Sequence, residues 1–292
     1  MTSEAHADYY IPEPSRWPIT ASVAIFTMFV GGATWLNGLS VGPLILGLGF
    51  VLFLYMLFGW FGTVIGESEA GTYNDQVDVS FRMGMAWFIF SEVMFFAAFF
   101  GALYYARIYS VPWLGGEGAK FVTNEVLWPS FASAWPLFET PQAYGFMHFK
   151  ETIGAWGVPF WNTVILLSSG GTVTWAHWGL KNGNRTQLVL GLFMTVALGA
   201  TFVGLQAYEY GHAYHELGLT LNSGIYGATF FMLTGFHGFH VTMGTIMLIT
   251  ILGRSMKGHF TAKHHFGFEA VAWYWHFVDV VWIGLFIFVY WL

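Results

Sequence analysis

Seven apolar runs, each long enough to cross a ~30 Å hydrocarbon core, constrain this chain more than any other feature of its sequence. They fall at residues 19–36, 44–65, 83–106, 159–178, 188–208, 224–252 and 267–292. Each reads as a membrane helix, so the expected fold class is all-α, a polytopic membrane protein with seven transmembrane helices. The sixth run is longer than a span needs and is expected to tilt or to project beyond the bilayer. Composition agrees: 56% of residues are hydrophobic and 9% charged, with mean hydropathy +0.57, whereas a soluble domain carries about 25% charged residues.

The same composition removes several function classes. There is no cysteine, hence no disulfide, no thiolate metal site and no thiol catalysis. No basic tract suggests nucleic acid as a partner. The N-terminal segment MTSEAHADYYIPEPSRWPIT lacks the features of a signal peptide and reads as a proline-broken lead-in on the cytoplasmic or matrix side. The formal net charge of −6 says little about partners, because sidedness matters more than the sum.

The connections set the organisation. Residues 37–43 make a short uncharged turn, so the first two spans form a hairpin, and with the lead-in they make a first region, 1–66. A polar cytoplasmic loop is expected at 67–82, followed by the remaining spans in 83–292. Within that region the segment 107–152 is too long for a simple turn. It carries Trp113, Trp128 and Trp135 and is expected to cap the outer membrane face. With the N-terminus inside, Arg16, Arg82, Lys181, Arg185, Arg254, Lys257 and Lys263 are cytoplasmic and Arg107, Lys120 and Lys150 are outside. That bias favours a cytoplasmic N-terminus and a periplasmic C-terminus. Glycine pairs such as Gly62 and Gly66, Gly170 and Gly171, and Gly235 and Gly238 would let helix backbones approach closely, unless they only reflect how common glycine is in membrane helices.

Ionisable groups inside spans carry the functional signal, because lipid cannot solvate them. Glu92 is the only formally charged residue of the third span and lies roughly 15 Å along the helix from Arg82. An ionised carboxylate at that depth costs several kcal/mol, so the acid is expected neutral or hydrogen-bonded to another helix. It serves either proton relay and regulation or a structural pin between helices. His237 and His240, in GFHGFH, stand one turn apart and are candidate partners of Glu92. A metal site would need further ligands at helical spacing, and none is present in that span.

In KHHFGFEAVAWYWHFVDVVW, residues 263–282, the groups Glu269, His276 and Asp279 fall on one broad helix face that must look into protein. Interhelical or intersubunit pairing is the expected role of Asp279. His177 and Glu209 end their spans near an interface and read as boundary anchors. His212, His215 and Glu216 read as a solvated outer loop rather than a metal cluster. Arg254, Lys257, His259, Lys263, His264 and His265 gather between the last two spans, where cations attract anionic lipid headgroups at ~1 kcal/mol each.

Taken together, the strings SRWPIT, FIFSEVMFF, WNTVILLSSGGTVTWAHWGL, LQAYEY, GFHGFHV and HHFGFEAVAWYWHFVDVVW resemble subunit III of the haem-copper cytochrome c oxidases over nearly the whole chain, with a bacterial aa3-type member the nearest fit. The resemblance implies seven helices, the first two separated from the other five by a V-shaped, lipid-filled cleft. It implies a non-redox subunit of a proton-pumping oxidase that passes electrons from cytochrome c to O2. In that family the chain packs beside subunit I, shares the complex with subunit II, stabilises turnover and supports proton uptake. Haem and copper would reside in the partner subunits, and bound phospholipids would be the only cofactors here. Glu92 matches the family's carbodiimide-reactive carboxyl. Trp60, Glu67, Arg254, Lys257 and His259 fall where family members hold lipid headgroups.

Two departures stand out. Gly62 and Gly66 replace arginines of mitochondrial members, which weakens headgroup contacts from the second span, and the 107–151 segment is longer than theirs. A quinol oxidase subunit is the close alternative, although such subunits usually lack the first hairpin. A di-iron membrane oxygenase would need converging histidine boxes that this sequence does not supply. A transporter would lead one to expect an internal repeat, and none is found.

Overall fold

The computed structural model describes residues 13–141 and 146–292; the first twelve residues of the lead-in and part of the long 107–152 segment lie outside them. Among the described residues every regular element is helical: α1 (Trp17–Leu36), α2 (Gly42–Glu69), α3 (Asp75–Tyr105), the single turn α4 (Val111–Leu114), α5 (Phe121–Leu127), α6 (Val158–Lys181), α7 (Arg185–His212), α8 (Gly224–Lys257) and α9 (Phe266–Leu285). Wider, π-type turns extend α3, α7 and α9 at their C-terminal ends.

Among the described residues six helices are long and apolar enough to cross a membrane: α1, α2, α3 with its extension to Leu114, α7, α8 and α9. The remaining expected span, α6, has 24 residues, or about 36 Å, yet is less apolar because its polar side chains serve packing. Thr172 meets Thr195 of α7 at 2.7 Å, and Ser169 and Thr163 accept hydrogen bonds from Trp275 and Trp282 of α9 at 2.8 and 2.9 Å. The chain is a polytopic membrane protein. At 34 residues, α8 is about 51 Å long, more than a hydrocarbon core requires.

The expected loop at 67–82 is mostly helix. Polar residues continue α2 to Glu69, and α3 starts at Asp75, where the Asn74 side chain accepts the Val77 amide at 2.9 Å. A polar stretch outside the lipid loses nothing by staying helical, and Asp75 and Asp78 in the first turn suit the positive end of the helix dipole.

By internal contacts the chain divides at Phe81 and Arg82. In the first unit α1 and α2 pack through Gly31, Gly42, Gly49 and Gly59, and Trp17 donates to Thr63 at 3.0 Å. The second unit carries the core. Trp275 is fully buried, with its indole against Gly199 of α7 and Gly244 of α8; a Cβ on either glycine would stand 2.7 or 2.8 Å from the ring. Between α3 and α6, Asn124 donates to the carbonyls of Leu114 and Trp128 at 2.7 and 2.9 Å, and Phe149 stacks on Tyr226 of α8 at 5.3 Å.

Candidate functional site

The polar groups of the second unit meet one another across helices. Glu92 on α3 reaches His240 on α8, with Oε2 2.9 Å from Nε2. The other ring nitrogen, Nδ1, stands 2.6 Å from the Phe236 carbonyl one turn back. A carbonyl only accepts, so Nδ1 carries a hydrogen. The Nε2 contact then holds one shared proton: the carboxylic acid donates to neutral imidazole, or imidazolium donates to carboxylate. Either form is neutral as a pair, which suits a span where a lone charge is costly. Phe95, Phe96 and Tyr274 surround the imidazole. The Glu92 side chain keeps 23% exposure, so the pair borders the outside of this chain rather than its centre.

His237 is not a partner of Glu92. Although one turn from His240, it is fully buried against Phe202 and Trp282 and its Nε2 lies 3.2 Å from the Val278 carbonyl of α9. Neighbouring positions on a helix diverge by tens of degrees, enough to send one imidazole to α3 and the other to α9.

The polar face of α9 is divided between two neighbours. Glu269 accepts from Arg82 of α3 at 2.8 and 3.0 Å. His276 and Asp279 pair within the helix, Nδ1 to Oδ2 at 3.4 Å, and His276 reaches Thr174 of α6 at 3.3 Å. The interhelical link is therefore His276 to Thr174, while Asp279 sits over Gly170, where a Cβ would collide with its carboxylate. Gly62, Gly66 and Gly171 face open space, whereas Gly238 abuts Gln206.

Two boundary anchors are something else. Glu209 is 2% exposed and accepts from Tyr290 at 2.7 Å; the aromatic C-terminal turn covers it. His177 turns to α9, its Nε2 3.4 Å from that of His265 and its ring beside Phe268. His212 pairs with exposed Glu216 at 3.1 Å on the helical end of α7 rather than in a loop. Arg254 lies over the Phe260 ring at 4.5 Å, Lys257 is exposed in the last turn of α8, and His259 follows the left-handed Gly258 that ends the helix. In the first unit Trp60 is 46% exposed, and Glu67 accepts from Tyr73 at 2.5 Å. Among the described residues no group of three or more His, Asp or Glu could hold a metal ion. Sequence reasoning used Arg82 for orientation and as a depth marker for Glu92, not as a partner of Glu269, and passed over Tyr290. The helical register from Glu269 could have pointed to a cationic neighbour, but not to which one.

Fold and site together define an all-helical, polytopic membrane protein whose interior carboxyls and imidazoles are hydrogen-bonded within and between helices. Residues 6–292 match the family model described as cytochrome c oxidase subunit III. Relatives named cytochrome c oxidase subunit 3 include those of Hippopotamus amphibius, 41% identical over 100% of this chain and 99% of its own length, and Arabidopsis thaliana, 40% identical over 100% and 98%. That of Marchantia polymorpha is 42% identical over 97% of this chain and 96% of its own length. The chain belongs to the cytochrome c oxidase subunit III family, and with it to a multi-subunit oxidoreductase complex of the respiratory chain.

Proposed function

We propose that this chain is a subunit without redox centres that docks on the catalytic subunit I of a proton-pumping oxidase. Subunit II and the electron donor cytochrome c share the complex, and haem and copper are carried by the partner subunits. The chain sustains turnover and supports proton uptake, with Glu92 and His240 as its protonatable pair. Phospholipid is the ligand of the chain itself: Arg254, Lys257 and His259 take anionic headgroups, and Trp60 and Glu67 contact lipid in the first region. The setting is a bacterial inner membrane, with the N-terminus cytoplasmic and the C-terminus and the 107–152 segment periplasmic, as the Lys and Arg distribution favours.

The Glu92–His240 contact carries this reading. A carboxyl and an imidazole in hydrogen-bond contact between α3 and α8 support a role in proton handling, because such a pair can hold a proton within an apolar span without a net charge. Removing the chain from the purified complex tests it. Haem and copper should stay with the remaining subunits, initial oxygen consumption should persist, and activity should decay faster with turnover until the chain is added back. Equal persistence with and without the chain would overturn the reading.

A further inference from the structure

At the Lys181 end of α6, His177 faces His265, the residue that opens α9. Their Nε2 atoms stand 3.4 Å apart and their ring centroids 5.4 Å apart. That spacing is long for a hydrogen bond, where N–H donors sit at about 2.7–3.2 Å from the acceptor. It is the spacing of two imidazoles on one ion: nitrogens about 2.0–2.1 Å from a tetrahedral zinc stand about 3.4 Å apart. The second nitrogen of His265, Nδ1, lies 3.1 Å from the Thr261 carbonyl. It donates there, which leaves the Nε2 lone pair aimed at His177. A ligand histidine is commonly oriented by this kind of backbone contact.

We propose that His177 and His265 form a binding site for a divalent transition-metal ion of the zinc type, with water completing the coordination. His177 is half-buried and His265 is 8% exposed, so the ion would sit between the ends of α6 and α9, partly covered by the chain. Two neutral protein ligands make a modest site. The charged groups acting on His177 pull in opposite directions: Lys181, one turn on, opposes a cation, and Glu269 favours it while engaged with Arg82.

The test uses the intact complex, stripped with a chelator, dialysed and titrated with Zn2+ alone, with bound zinc read by mass spectrometry against haem content. Wild type should hold roughly one equivalent more than either His177→Gln or His265→Gln, both of which keep hydrogen-bonding capacity but lose the imidazole. Lys181→Gln should tighten binding several-fold by removing the opposing charge. Equal zinc in wild type and both variants would overturn the proposal, as would a loss in only one. Should a variant fail to assemble, histidine modification of the wild-type complex decides. Zn2+ should protect His177 and His265 together from diethyl pyrocarbonate, and modification unchanged by Zn2+ would refute the site.

Discussion

A single hydrogen bond fixes much of the chemistry available at Glu92. Because Nδ1 of His240 is committed to the Phe236 carbonyl, the pair can move its shared proton between oxygen and nitrogen without changing its net charge. Glu92→Gln should keep the contact, since the amide NH2 can donate to the Nε2 lone pair; the complex should assemble in near wild-type yield. Glu92→Leu leaves His240 Nε2 without its partner, at a cost of about 1–3 kcal/mol, visible as a lower thermal inactivation midpoint of the purified complex. Complete loss of the complex in the Gln variant would show that the residue needs its charge. The carboxyl itself was legible from its isolation in an apolar run. The choice of His240 over His237 was not, because both lie on one side of α8 and only the placement of α3 and α9 separates them.

At the scale of helices, the useful distinction is between glycines that face a neighbour within the chain and glycines that face open space. Gly199 and Gly244 each meet the Trp275 indole, so Ala at either position should overpack the junction of α7, α8 and α9 and cost about 1–3 kcal/mol. Gly62 and Gly66 have nothing near them. Ala there should be neutral or stabilising, since alanine is the better helix former by about 1 kcal/mol. Thermal scanning of the four single variants checks both halves, and a loss at Gly62 as large as at Gly199 would contradict them. Sequence spacing could not sort these positions. A glycine at helical spacing looks the same whether an indole faces it or nothing in the chain does. The helices themselves were legible, because apolar runs of this length have one common solution. The polar helical stretches flanking 70–74 and the polar interior of α6 were harder: hydropathy reads Ser and Thr as loop or interface, while in α6 Ser169 and Thr163 are the hydrogen-bonding partners of two tryptophans.

For the molecule as a whole, the uneven placement of charge is what remains after the internal contacts are satisfied. Glu92, Glu209, Glu269 and Asp279 each have a partner inside the second unit. Lys257, in contrast, extends from the last turn of α8 into the open, close in sequence to Arg254 and Lys263. An exposed cation at a membrane surface attracts anionic headgroups by ~1 kcal/mol, so Lys257→Gln should weaken retention of anionic phospholipid roughly five-fold. Arg254→Gln should do more, because it also removes the cation over the Phe260 ring and loosens the end of α8 to which that ring is fixed. Native mass spectrometry of the complex in a detergent series reads the bound lipid directly. If Lys257→Gln retained as much anionic phospholipid as wild type while Arg254→Gln lost it, a local packing effect would replace the electrostatic one, and the proposed headgroup role of this end of the molecule would fall to Arg254 alone.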